Sequence, residues 1–366
     1  MSRDIGAYFF GIFEGENYMN YKKLLGIIVG VLALTFTLAG CGNSSASQNG
    51  NKEYKYGSIT VPAKDGSVCN APNYIAYEKG FFKKNGIKAN IVANPRDISD
   101  LEAGFASGKY DAQNGDFQYL PAIQNGAQIK AAGGIHQGCI KLLVPKDSNI
   151  TSVKDLKGKT IGIPAQGSTP QYVTSIALQH AGLDPKKDVT WKVFSTDLLA
   201  KAAEKGQVDA IGTVDPYAYQ AQQENGFKAI IDNNNSDGNQ KMANMGMKKM
   251  GSCCYLYISN KLIQSNEPKA KAIVKSYQEA AEWINKHPEE TAHIELSKGY
   301  VSKTKFINEK NVTQILKDEH FHLNLDKGKE DMNYYITQLK KAGYLKKDTN
   351  NSQLLKQAYW NPNEKN

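Results

Sequence analysis

The sequence predicts an α/β protein built as two units, on three observations. The chain has 366 residues, enough for two hydrophobic cores. Strand-like and helix-like segments alternate, and the alternation runs once and then restarts. The chain beyond residue 257 reads as helix.

In chain order, the first strand is expected at 58–62, followed by a helix at 71–79, a strand at 88–92 and a helix at 98–107. Strands at 110–113, 129–133 and 139–144 follow, with a helix at 117–124 between the first two. The second round has strands at 160–163, 189–194 and 209–213, and helices at 170–181, 197–204 and 217–224. Such alternation implies mostly parallel sheets covered by helices. A strand at 252–257 precedes the helical region, whose clearest members are 268–285 and 329–342; Gly343 suits the left-handed residue that ends a helix.

The N-terminus carries a different signal. Residues 19–23 (MNYKK) are basic, and residues 24–37 (LLGIIVGVLALTFT) are apolar and uncharged. That run is shorter than the roughly 18 to 20 residues a membrane-spanning helix needs, so it fits the apolar core of an export signal. Leu38-Ala39-Gly40-Cys41 then resembles a bacterial lipobox, which implies acylation of Cys41 and a mature chain that begins there. Residues 1–18 are expected to lie upstream of the true start at Met19, because Glu14-Gly15-Glu16 back-translates to a purine-rich ribosome-binding stretch. Residues 41–52 (CGNSSASQNGNK) read as a flexible tether.

Charge narrows the function classes. The formal excess is +9, and residues 1–40 carry three basic and three acidic side chains, so the mature chain keeps it. Lysine is dispersed along helical stretches, which suits a solvated face near an anionic membrane or cell wall; nucleic-acid binding does not suit an exported protein. The two arginines are Arg3 and Arg96, so the usual bidentate clamp for oxyanions is nearly missing.

A set of short motifs appears in order along the chain: Ala71-Pro72-Asn73-Tyr74-Ile75-Ala76, Glu78-Lys79-Gly80-Phe81-Phe82, Asn85-Gly86, Ala106-Ser107-Gly108, Gly115-Asp116, residues 153–162 (VKDLKGKTIG), Gly167-Ser168 and residues 204–210 (EKGQVDA). Together they resemble the ABC-transporter solute-binding lipoproteins of the nitrate/sulfonate/taurine group, which includes binders of thiamine-pyrimidine precursors. The resemblance spans nearly all of the mature chain. It implies a periplasmic-binding-protein-like (type II) fold with a ligand cleft between two α/β lobes joined by a hinge. Lobe 1 would take 53–144 and 250–366, and lobe 2 would take 145–249. It also implies a monomer, lipid-anchored on the outer face of the cell membrane of a Gram-positive bacterium, that captures a small molecule and delivers it to permease and ATPase subunits. No cofactor and no catalysis are implied.

In open α/β sheets ligands sit beyond the carboxyl ends of strands. That rule nominates the loops at 65–70, 115–118, 135–138, 166–171 and 214–217, with the returning strand at 252–257. The candidate ligand-binding residues are therefore Cys69, Asn70, Asp116, Phe117, His136, Gln137, Cys139, Gly167, Ser168, Thr169, Asp215, Cys253 and Cys254. Ser168 or Thr169 would cap a helix with Pro170 in its first turn; that terminus either docks an acidic ligand group or is an ordinary capped end. Asp116 and Asp215 would repel a dianion and hold an amino group, or else cap their own following helices.

Four cysteines remain after lipidation, all near the expected cleft, and four of the five mature methionines crowd into residues 242–250 (MANMGMKKM). Soft sulfur ligands favour thiophilic metals or organometals, held by Cys69, Cys139 and one of Cys253 and Cys254, since neighbours in a strand point to opposite faces. Buried inert thiols, or a disulfide such as Cys69–Cys139, are the alternatives. Fungal thiamine-pyrimidine synthases have the same fold and a cysteine-rich strand that residues 252–256 (SCCYL) resemble, so an enzyme of that kind is a second reading; a surface receptor or adhesin is a third.

Overall fold

The computed structural model describes residues 52–64, 66–95, 98–233 and 251–364. All lie in one compact unit, Gly50–Asn366. The expected export signal with Cys41, most of the expected tether, residue 65, Arg96 and the methionine-rich stretch 242–250 lie outside the described residues. No helix among the described residues is long and apolar enough to cross a membrane.

Among the described residues ten strands form three sheets. β1 (Ser58–Lys64) and β2 (Lys88–Ala93) pair in parallel, joined by the helix Ala71–Glu78 and the short helix Phe81–Lys84. β3 (Ala112–Asp116) and β4 (Ile129–His136) flank β10 (Cys254–Ser259), which runs antiparallel to both. Asp111 ties β1 to β3: its Oδ2 accepts the Thr60 N–H at 2.9 Å, and its own N–H donates to the Thr60 carbonyl at 3.0 Å. The third sheet has the order β7 (Thr190–Val193), β6 (Thr160–Ile163), β8 (Ala210–Val214), β5 (Ile140–Val144), β9 (Lys228–Asp232).

The sheets are mixed, and this corrects the expectation of mostly parallel pairing. β6 is parallel to β7 and β8, but β5 is antiparallel to β8 and β9. The antiparallel members, β5 and β10, are the strands by which the chain enters one sheet and re-enters another. Each is inserted between strands of opposite direction, so pattern within a strand does not betray its sense. Both are buried on both faces, reading IKLLV and CYLYIS, whereas the edge strand β7 is mostly exposed.

Asparagine starts most of the C-terminal helices. Asn266, Asn308, Asn324 and Asn350 each accept the N–H three residues on, opening Glu267–Lys286, Glu309–Glu319, Leu325–Lys341 and Asn351–Ala358. The third begins four residues earlier than its apolar spacing implied, because the Asn324 cap fixes the start and Gly328 breaks the pattern. Gly343 follows its C-terminus with φ +77°, as the sequence predicts. The helix expected at 117–124 is a 3-10 turn, Phe117–Tyr119, followed by Leu120–Gln124, with Pro121 in the first turn of the latter.

Candidate functional site

A cavity of about 600 Å³ draws its wall from both larger sheets and the loops at their ends. Cys69 and Asn70 come from the turn after β1, Asp116 from the end of β3, and Cys139 and Ile140 from the start of β5. Ser168, Thr169 and Pro170 come from the helix Thr169–His180, and Cys254 opens β10. Among the described residues no lysine or arginine lines the cavity.

The chain passes between these sheets twice. It leaves β4 for β5 through residues 137–139, and it returns from β9 to β10 through residues 233–253. The described ends of the two passages lie against each other: the Cys253 N–H donates to the His136 carbonyl at 3.0 Å, and the Ile140 N–H donates to Asn233 Oδ1 at 2.9 Å.

All four thiols meet at this junction. Cys139 Sγ is 3.4 Å from Cys253 Sγ, and Cys253 Sγ is 3.8 Å from His136 Nδ1. One donor atom from each of Cys69, His136, Cys139 and Cys254 falls in a group whose members are all within 4.8 Å of one another. The four cysteines are free thiols, Cys69 half-buried and the others buried. β10 begins at Cys254, which lines the cavity, while Cys253 lies in the passage ahead of it and is buried behind the wall, so one of this adjacent pair faces the cleft.

Electrostatics divides the thiols. Hydrogen bonds from Cys139 and Cys254 hold the Cys69 thiol well below its ordinary value. Burial pushes Cys253 up, yet donation from Cys139 and Cys254 together with His136 brings it well below. Cys139 and Cys254, the donors, are raised. Burial disfavours charged His136, but Cys253 and Glu319 drive it well above the usual histidine range. Glu319 itself, 3.9 Å away and fully buried, is pushed well up by burial.

Asp116 is the carboxylate at the cavity wall. Its Oδ1 accepts the Gln118 N–H at 3.0 Å, so it caps its own turn, and burial raises it to about 7 against the opposing pull of Thr169 and that N–H. Ser168 is the N-cap residue of the helix Thr169–His180, but its hydroxyl makes no hydrogen bond.

Six of the expected residues do not line the cavity. Asp215 is buried against Lys141 at 3.4 Å and accepts the Tyr219 N–H at 2.8 Å, so it serves the helix Tyr217–Asn225. Phe117 stacks on Tyr335, ring centres 3.7 Å apart, within the core. His136 and Cys253 are fully buried behind the wall. Gln137 is half-buried in the first passage. Gly167 holds φ +76° and donates its N–H to Gln171 Oε1 at 2.6 Å, shaping the turn ahead of the helix.

Among the wall residues that the sequence reading did not single out are two polar ones of β3. Asn114 Nδ2 donates to the Cys69 carbonyl at 2.7 Å and to Asn70 Oδ1 at 3.1 Å, and Gln113 Nε2 donates to the Tyr119 hydroxyl at 2.6 Å. The signal was available: β3 reads AQNGD, a polar run where a buried strand should be apolar.

Known proteins resemble this chain along most of its length. The family model described as NMT1/THI5 like matches residues 69–291. A putative aliphatic sulfonates-binding protein of Bacillus subtilis (strain 168) is 29% identical over 301 residues, covering 80% of this chain and 82% of that protein. A 4-amino-5-hydroxymethyl-2-methylpyrimidine phosphate synthase of Uromyces fabae is 30% identical over 229 residues, 60% of this chain and 58% of that one. The periplasmic aliphatic sulphonate binding protein SsuA from Escherichia coli superposes with a TM-score of 0.65 at 16% identity, covering 84% of this chain and 94% of that one. The architecture is thus the periplasmic-binding-protein fold.

Proposed function

This chain belongs to the NMT1/THI5-like family, and from that membership we propose that it is an extracytoplasmic solute-binding lipoprotein, anchored through Cys41, that closes on a small ligand and delivers it to an ABC importer. The observation that carries the reading is the cavity of about 600 Å³ with wall residues from both larger sheets, Cys139 of the passage between them included. That size suits a small molecule. Two passages whose described ends hydrogen-bond to neighbouring chain suit a hinge, on which lobes 53–144 plus 250–366 and 145–249 would rotate as bodies. Similarity to the B. subtilis sulfonates-binding protein supports the same assignment. The cargo is drawn from sulfonates, taurine, nitrate and pyrimidines, or from thiophilic metals and organometals.

A thermal-shift panel across those classes tests it. A solute that binds the native state stabilises it by mass action, by about 2.7 kcal/mol at a hundredfold excess over Kd, and so raises the melting temperature. The reading is sunk if no solute of any class raises it. Mass spectrometry of the membrane-extracted protein tests the anchor: a diacylated N-terminal Cys41 is expected, and an intact leader would refute it.

The Uromyces synthase and the adjacent cysteines Cys253 and Cys254, where β10 begins, favour one second reading, an enzyme of pyrimidine synthesis. Turnover of a candidate substrate by purified protein would establish it; stoichiometric binding without product would discard it.

A further inference from the structure

The cysteine–histidine cluster is built from segments that have no local reason to meet. Cys69 follows β1, His136 ends β4, Cys139 lies in the first passage between sheets, and Cys254 begins β10. Cys69, Cys139 and Cys254 also line the cavity, so three sulfurs are reachable from it. Behind them, His136 is fully buried and its Nε2 makes no hydrogen bond.

The spacing of the donors is that of a metal site. A tetrahedral ion with metal–sulfur bonds of about 2.3 Å places its sulfurs about 3.8 Å apart. The donor atoms here are all within 4.8 Å of one another, so closing on an ion needs side-chain movements below about 1 Å. Three sulfurs and an imidazole select a soft or borderline d10 cation over magnesium or calcium. The wall sets no cation against it, since no lysine or arginine lines the cavity among the described residues.

We propose that Cys69, His136, Cys139 and Cys254 bind a thiophilic d10 metal ion as the cargo of the cleft, free or as a small complex. This deepens, and rests on, the solute-binding reading. Metal–sulfur bonds replace the S–H bonds, and the displaced protons leave to solvent. Because Cys139 and Cys253 lie in the two passages between sheets, an ion held there also sits where the lobes would hinge.

The test uses the full chain in mild detergent, reduced with a phosphine, freed of reductant without air, and titrated with cadmium(II) alone. One equivalent is expected to produce a thiolate-to-cadmium charge-transfer band, to lower the radius of gyration in solution scattering, and to slow iodoacetamide alkylation of Cys69 at least tenfold. Cys139→Ser and Cys254→Ser are each expected to weaken binding at least tenfold. The alkylation arm uses the unmutated chain, so it stands even if a variant fails to fold. No band at one equivalent, or affinity unchanged in Cys254→Ser, overturns the proposal. Cadmium uptake without contraction overturns its role as cargo. A sulfonate or pyrimidine that stabilises wild type and Cys139→Ser equally, with no cadmium bound by either, overturns this proposal while leaving the solute-binding reading intact.

Discussion

Asp116 holds its proton to about pH 7, three units above the ordinary carboxyl value of 3.8. Between those values the native chain keeps a proton that the unfolded chain has released. Stability from this group is therefore full below about pH 4, falls by up to about 1.4 kcal/mol per pH unit as pH rises, and levels off above 7. Asp116→Asn should flatten that fall in urea unfolding measured from pH 4 to 8; an unchanged slope would refute the assignment. The same proton decides what the wall repels. Asp215 lies elsewhere, so below pH 7 the cavity presents no fixed carboxylate from this pair, and the affinity of an acidic solute should drop as pH rises through 7 in the wild type but not in Asp116→Asn. Asp215 itself supports a prediction of stability. It and Lys141 are buried together, 3.4 Å apart. Lys141→Met leaves a buried carboxyl without its cation and should cost about 3 kcal/mol in urea unfolding, much of it recovered by adding Asp215→Asn. Equal loss in the single and double variants would show that the pair is not coupled.

At the scale of elements, the helix Leu325–Lys341 is positioned by a bare contact with β4. A Cβ on Gly328 would lie 2.3 Å from the Gly134 nitrogen, and one on Gly134 would lie 2.1 Å from Ser252 Oγ. Helix propensity alone predicts that Gly328→Ala stabilises by about 1 kcal/mol. The contact reverses the sign: the backbone of β4 cannot yield as a flexible side chain can, so the variant should be destabilised by about 2 kcal/mol or more in chemical denaturation. A stabilised variant would mean that helix and strand are further apart than this. The same elements show where sequence reading stops. The strands themselves were legible from their apolar runs; the helix starts set by asparagine caps were not, and Asn324 opens its helix four residues before the apolar spacing does. The sense of β5 and β10 was not, because a strand buried on both faces has no alternation to orient it.

For the whole molecule, capture by closure predicts a measurable contraction. Solution scattering with a stabilising solute should give a smaller radius of gyration than the free protein; stabilisation with no contraction would favour a rigid receptor over a hinged carrier. If the lobes close in this way, the thiol junction would act as a chemical lock on the motion. Because the two passages touch at Cys139 and Cys253, mild oxidation that joins these sulfurs should restrain closure and blunt the contraction, and reduction should restore it. Contraction undiminished in protein verified to carry that bond would place the hinge elsewhere.

The sequence alone determined the family resemblance, the α/β alternation and the nomination of Cys69, Asn70, Asp116, Cys139, Ser168, Thr169 and Cys254, all of which line the cavity. These are properties of local pattern: periodicity, caps, and residue types at strand ends. What only the tertiary structure decided is which side chains share a space. It sent Phe117 to the core and Asp215 to Lys141, and it brought Asn114 and Gln113 into the wall. It also gathered Cys69, Cys139, Cys253 and Cys254, which are up to 185 positions apart, around His136. The reason is physical: propensity and periodicity act over a few residues, whereas the order of strands in a sheet, set by burial of both faces, fixes which distant thiols meet.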